Sequence, residues 1–241
     1  MNKHLFPKLP DQPKDEACVV VFSGGQDSVT CLGWALKTYK TVYALSFSYG
    51  QNHEVELSQA ELIAEKLNVP WKAISISAFE ELADSALVTG GDVNAAHNRN
   101  PDLPASFVPN RNAMFLTIAH AYAQKVGAKN IVMGVCETDF SGYPDCREGF
   151  IRYLGGALDM GAEVEIDIHT PLMYLTKAET FAVAEICGVL QLVLRESHTC
   201  YKGDRTNVAA WGHGCGECPA CMLRAAGFVE YQDELSKQDE T

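Results

Sequence analysis

The sequence predicts an α/β fold: a parallel, doubly wound sheet carrying a small cysteine-rich segment near its C-terminus. Three observations lead there. Short runs of β-branched residues alternate with stretches of helical periodicity, the pattern of strands linked by crossover helices. The first run, ACVVVF at 17–22, is apolar at successive positions, as a strand buried on both faces requires. It ends in Ser23-Gly24-Gly25 and passes at once into a helix-forming stretch, a strand–turn–helix junction.

The elements follow in order. Residues 1–16 are polar and Pro-rich without the apolar stretch of a signal peptide, which predicts a mobile arm. A helix is expected over 27–38 and a strand over 41–47 (TVYALSF). In 53–67, Leu57, Ala60, Ile63, Ala64 and Leu67 recur at helical spacing, and Asn68-Val69-Pro70 stops the helix. WKAISI at 71–76 reads as a third strand. Between 88 and 109 the turn formers crowd together (Gly90, Gly91, Asn94, Asn98, Asn100, Pro101, Pro104, Pro109), which predicts a functional loop or lid. An apolar helix over 111–127, a strand over 130–135 and a helix over 148–160 come next. An alternating strand over 163–171 and a helix over 177–187 complete the pattern. Residues 198–224 are cysteine-rich with little periodicity, and the charged ending EYQDELSKQDET is expected to fray. The expected organisation is an arm (1–16), an α/β domain (17–197), a cysteine-rich segment packed on it (198–224), and a helix end with its tail (225–241).

Composition narrows the function. Of 241 residues, 47% are hydrophobic, enough for a sizeable core. No apolar run reaches the ~18 residues a membrane span needs. The formal net charge of −12 argues against a nucleic-acid partner, whose phosphates call for the opposite sign. The nine cysteines are odd in number and, without an export signal, point to the reducing cytoplasm.

In a doubly wound sheet, ligands bind beyond the carboxyl ends of the strands. The Gly-Gly turn lies at one such end. Its glycines would let backbone N–H groups approach an anion, and the following helix would add its positive terminus. Ser23 and Ser28 offer hydroxyls, while Asp27 suits Mg²⁺ or a helix cap. Neither GxxxxGK[ST] nor GxGxxG is present. The competing reading is a tight turn with a cap.

Cys215-Gly-Glu-Cys218-Pro-Ala-Cys221 holds two overlapping C-x-x-C units, with Cys200 upstream. Four thiolates suit one structural Zn²⁺ per chain, while a disulfide pair or an iron–sulfur cluster are the alternatives. The other five cysteines are expected in the core.

The S-G-G-x-D-S motif after the first strand resembles that of the PP-loop ATP pyrophosphatases. Their fold is adenine nucleotide α-hydrolase-like and Rossmann-like, and they adenylylate an oxygen and release pyrophosphate. Taken together, FSGGQDSVTCL (22–32), SFSYGQNHEVEL (46–57), VPNRNAMFLTIA (108–119), GVCETDFSGYPDCREGFI (134–151), TPLMYLTKAE (170–179) and TCYKGDRTNVAAWGHGCGECPACMLR (199–224) resemble the 7-cyano-7-deazaguanine synthase family of queuosine biosynthesis.

The resemblance implies that 7-carboxy-7-deazaguanine becomes the nitrile by reaction with ammonia and ATP, through an adenylylated acid and an adenylylated amide. It implies an ATP site at Phe22, Ser23, Gly24, Gly25, Gln26, Asp27, Ser28, Val29, Thr30, Cys31 and Leu32, with Asp27 helping to hold Mg²⁺. Arg111 and Lys177 would supply cations to phosphates or to the substrate carboxylate, the alternative being ordinary helix-terminal charges. Asp139 or Asp145 could accept from the deazaguanine N–H groups, and Tyr143 or Phe140 could stack on its rings, with Arg147 beside them. The alternative for Asp145 is a cap for the helix at 148. His53 is a candidate nucleotide contact. No glutaminase segment is apparent, so free ammonia or a partner would bring nitrogen. A homodimer is compatible with this picture. A tRNA-modifying PP-loop enzyme and a zinc-stabilised nucleotide-binding module without catalysis are the rival readings.

Overall fold

The computed structural model describes residues 1, 3–49, 55–77, 85, 95–97, 100–138 and 143–239. The chain opens with β1 (Lys14–Val21), α1 (Gln26–Thr38), β2 (Tyr39–Ser48), α2 (Val55–Lys66) and β3 (Trp71–Ser75). A small antiparallel pair follows, β4 (Ala96–His97) with β5 (Asn100–Pro104), then α3 (Arg111–Val126) and β6 (Asn130–Met133). Next come α4 (Glu148–Ala162), β7 (Asp167–His169), α5 (Lys177–Ile186) and α6 (Leu190–Arg195). A two-stranded ribbon, β8 (Val208–Ala209) with β9 (Gly212–His213), precedes the long α7 (Pro219–Asp239).

The main sheet has the order β3-β2-β1-β6-β7 and every pairing in it is parallel. Apolar residues on successive positions of β1 explain why it lies at the centre. Cys18 and Val20 pack on one face with α1, α2 and α5, while Val19 packs on the other with Leu116 of α3 and Ile151 of α4. All three β1 residues are fully buried. Winding reverses between β1 and β6, which leaves a crevice at their carboxyl ends.

Several expectations need correction. The strand placed at 163–171 pairs only over Asp167–His169. Its partner β6 is four residues long, and Glu163 is taken up in closing α4, its backbone N–H donating to the Asp159 carbonyl. The short α6, with fully buried Val193, was not foreseen. The N-terminal arm is docked rather than loose. The Met1 ammonium donates to Glu234 at 2.8 Å, Phe6 and Leu9 rest on the core, and Trp34 Nε1–H donates to the Lys8 carbonyl.

The charged ending does not fray either, because α7 runs to Asp239. Glu230, Asp233 and Lys237 are exposed while Tyr231, 1% exposed, stacks on Phe181 of α5 at a ring separation of 5.9 Å. This helix comes so close to α5 that a Cβ at Gly227 would stand 2.3 Å from the Lys177 Cβ. The start of α5 is itself fixed by a reciprocal cap: Glu179 N–H donates to the Thr176 hydroxyl, and Thr176 N–H to the Glu179 carboxylate. Such caps contribute about 1 kcal/mol. Gly227→Ala should therefore force α7 off the Lys177 turn and cost about 1–3 kcal/mol in urea denaturation, despite alanine's better helix propensity. An unchanged midpoint would show that the two helices have slack.

Candidate active site

The turn after β1 is built by a close approach. Gly24 has φ of 80°, and a Cβ there would lie 2.9 Å from both the Ala60 nitrogen and the Glu56 carbonyl oxygen of α2. Only glycine satisfies both limits. The turn is then fastened internally. Ser23 N–H donates to Ser28 Oγ at 3.2 Å, Ser28 Oγ–H donates to the Gly25 carbonyl at 3.0 Å, and Gly25 N–H donates to Ser23 Oγ at 3.3 Å. Thus the two serines shape the loop that they were expected to serve as donors. Gly25 caps α1 without a side-chain bond of its own, which leaves the first-turn N–H groups after Gln26 for a ligand.

A cavity of about 300 Å³ opens here, walled by Ser23, Gln26, Asp27, Arg111, Tyr143 and Lys177 among others. Asp27, Arg111 and Lys177 are thus brought together from α1, α3 and α5. Lys177 Nζ donates to Asp27 Oδ2 at 2.6 Å. Asp27 Oδ1 and both polar atoms of the Gln26 amide are buried without a hydrogen-bond partner among the described residues. Such orphans mark where a ligand belongs. A bare carboxylate oxygen is also the donor a hard divalent cation takes, so Asp27 fits Mg²⁺.

Of the eleven residues assigned to the ATP stretch, Val29, Thr30, Cys31 and Leu32 are fully buried positions of α1. Phe22, Ser23, Gly25, Gln26, Asp27 and Ser28 line the cavity, and Gly24 lies against α2.

The far wall is aromatic and cationic. Arg111 Cζ stands 5.8 Å from the ring centroids of both Tyr49 and Tyr143, and Nη1–H donates to the Tyr49 hydroxyl. Tyr143 is held by a 2.6 Å hydroxyl contact with Ser106 and by the Phe107 ring at 5.5 Å. The described part of the expected lid therefore braces this wall. Burial raises the Tyr49 hydroxyl above its ordinary range, against the lowering pull of Arg111. Glu56 also borders the cavity, and burial pushes its carboxyl up to about 7, Arg111 again opposing.

Asp145 has a different place from the one expected. Its carboxylate is buried and accepts the Asn112 N–H at 3.0 Å, so it caps α3 beside Arg111 rather than the helix at 148. Arg147 is exposed and stands outside the cavity lining. Asp139, Phe140 and His53 lie outside the described residues.

The cysteine-rich segment forms part of the same site. The sulfurs of Cys200, Cys215, Cys218 and Cys221 lie within 4.8 Å of one another, and Cys215 and Cys221 Sγ are 3.9 Å apart. Ligands about 2.3 Å from one tetrahedral ion would be spaced about 3.8 Å apart, so the four can hold a single metal ion. Backbone N–H groups of Glu217 and Cys218 point at Cys215 Sγ, as they would at a thiolate. All nine cysteines are free of disulfides, and Cys18, Cys31 and Cys187 belong to the core as expected. Cys136 is buried and Cys146 packs against the core, and both also border the cavity.

One turn beyond Cys221, Arg224 ties this segment to the turn after β1. It is 1% exposed and donates to the carbonyls of Trp211 and Val193 and to the hydroxyls of Ser197 and Thr199. Thr199 Oγ1 in turn accepts the Gln26 N–H of α1. Thr199, Arg224, Tyr49, Glu56 and Tyr201 were given no role from sequence. An arginine three residues after the last cysteine of the C-x-x-C-x-x-C run is the available signal. Arg224→Leu should cost at least about 3 kcal/mol, because it strands four acceptors, and should weaken ATP binding in calorimetry. A stable variant with parental ATP affinity would show the tether to be dispensable.

The chain can now be set beside known proteins. The family model described as queuosine biosynthesis protein QueC matches residues 17–232. A 7-cyano-7-deazaguanine synthase of Wolinella succinogenes is 53% identical over 228 residues, covering 94% of this chain and 98% of that protein. One from Nitratidesulfovibrio vulgaris is 48% identical over 230 residues, covering 90% and 94%. Among solved structures, a 4-thiouridine synthetase in complex with RNA and bound ATP is 16% identical with a TM-score of 0.50, covering 89% of this chain and 53% of that one, which bears on the fold alone. With a family match over most of its length and such relatives, the chain belongs to the queuosine biosynthesis QueC family of 7-cyano-7-deazaguanine synthases, ATP-dependent enzymes of the PP-loop fold.

Proposed function

We propose that this cavity adenylylates 7-carboxy-7-deazaguanine and then its amide, and that ammonia supplies the nitrogen of the nitrile. The observation that carries the reading is the junction of two unlike walls in one cavity. An anion-binding turn with the Asp27–Lys177 pair faces an aromatic wall set around Arg111. A nucleotide phosphate chain suits the first, and a flat, polar-edged purine analogue with a carboxylate suits the second.

The chemistry follows from the substrate. A carboxylate is a poor electrophile and its oxygen a poor leaving group. Attack by that oxygen on the α-phosphorus expels pyrophosphate and gives an acyl-AMP. The N–H groups at the start of α1 and the Lys177 ammonium would hold the leaving pyrophosphate, so their help grows as its charge develops. Lys177 is seated beside that position by its bond to Asp27. Mg²⁺ with ATP, held with the help of Asp27, would neutralise charge between phosphates. Arg111 would orient the substrate carboxylate, with Tyr143 against the ring. Asp145 acts through its cap on α3, which fixes the turn that carries Arg111. After ammonia displaces AMP, the amide oxygen can repeat the attack in the same place.

The four-cysteine site is read as structural zinc. All four positions are protein thiolates, which leaves none open for catalysis. Disulfide-free cysteines support a reducing, cytoplasmic setting. The domain limits read from the sequence, with 198–224 as a segment on a 17–197 body, belong to the same proposal.

Incubation with 7-carboxy-7-deazaguanine, ATP, Mg²⁺ and ammonium should yield the nitrile by mass spectrometry, with AMP and pyrophosphate as the nucleotide products. Only ADP and orthophosphate would contradict the mechanism. Asp27→Asn should lower kcat/KM by about 100-fold or more. Purified protein should carry about one zinc per chain, and stripping it should lower Tm by ~5 °C or more. Less than about half an equivalent, with no iron, would remove the metal assignment.

A further inference from the structure

We propose that the Glu56 carboxylate is the general base of this site, taking the protons shed first by the attacking ammonia and then by the amide nitrogen. The inference rests on the function proposed above and adds a residue to it.

Both nitrogen-forming steps release protons inside a cavity. When ammonia attacks the acyl-AMP carbon, the C–O bond to phosphate breaks, AMP leaves with the electron pair, and one N–H proton must depart to give the amide. When the amide oxygen attacks a second α-phosphorus and pyrophosphate leaves, the nitrogen loses one proton. It loses the last as the C–O bond to AMP breaks and C≡N forms. Three protons thus leave one nitrogen, and each must pass to a base that can return it to solvent between steps.

The lining offers few candidates. Among the described residues, Asp27 and Glu56 are the carboxylates that border the cavity. Asp27 is bonded to Lys177 on the phosphate side, where its charge is needed. His198 is 1% exposed, and its Nε2–H is directed at the Cys200 carbonyl. Glu56 stands in the first turn of α2, whose backbone lies against Gly24, so its place relative to the turn after β1 is set by that close approach. It shares the cavity wall with Arg111 from α3, Tyr49 after β2 and Tyr201 from the cysteine-rich segment, and interacts with all three electrostatically. Arg111 is the group expected to hold the reacting carboxylate, so the new C–N bond forms on the side that Glu56 borders. Burial outweighs Arg111 and sets the carboxyl at about 7, a value at which it can both accept and release a proton near neutrality.

The test separates activation from amination. ATP–pyrophosphate exchange driven by 7-carboxy-7-deazaguanine without ammonia reports the first step alone. Glu56→Gln should keep that exchange within about threefold of the parent and lose amide and nitrile formation by about 100-fold, while Glu56→Asp recovers part of the loss. At constant free ammonia, the parental kcat/KM should rise as pH climbs through about 7, because the base must be ionised, and Glu56→Gln should lack that limb. Parental nitrile formation by Glu56→Gln would overturn the inference, as would equal loss of exchange and product in a variant with an unchanged melting curve. Absence of acid-dependent exchange in the parent itself would instead overturn the function on which the inference stands.

Discussion

The site depends on how closely α2 approaches the turn after β1. At Gly24 the helix backbone occupies the space where any side chain would begin. That contact sets the loop's curvature and the start of α1, and it places Glu56 at the cavity edge. The serine bonds within the loop then hold a shape that the glycine alone makes accessible. The first β-to-α junction is therefore a junction of three elements, and a shift of α2 would be felt at the phosphate position and at Glu56 together.

A second support comes from the far end of the chain. The cysteine cluster sits one helical turn from Arg224, and Arg224 and Thr199 link that turn to the Gln26 N–H. The geometry of the cysteine cluster and that of the loop are thereby coupled through two side chains. On the opposite side, the Thr176–Glu179 cap and the contact at Gly227 fix the start of α5, where Lys177 meets Asp27. Each charged group in the cavity is seated by an element whose end is itself restrained, which is how a site of this kind keeps its geometry before ligands arrive.

Much of this was legible in the sequence, for identifiable reasons. The apolar run of β1, the Ser-Gly-Gly turn and the cysteine spacing are local patterns, and local patterns survive folding. Arg111 and Lys177 were picked out by motif resemblance, and they do face Asp27's cavity. What escaped the sequence depends on contacts between distant segments. Asp145 reads as a contact to the deazaguanine, or else as a cap for the helix after it, yet its carboxylate caps α3, more than thirty residues earlier, because β6 brings the two ends together. The charged ending reads as frayed because its polar residues outnumber the two, Tyr231 and Leu235, that dock on the core. Thr199 and Glu56 carry no spacing signal at all. Their importance comes from proximity to a loop that is far from one of them in sequence and hidden behind a helix for the other.

The central claim is that the turn at residues 23–28 grips the outer phosphates of ATP so that a substrate oxygen can displace them. A crystal structure with Mg²⁺ and an ATP analogue that cannot release pyrophosphate tests it most directly. The β- and γ-phosphates should lie against the start of α1, with Lys177 turned from Asp27 toward them and the α-phosphorus open to the Arg111 wall. Phosphates bound elsewhere in the cavity, with the Asp27–Lys177 pair intact, would contradict the account.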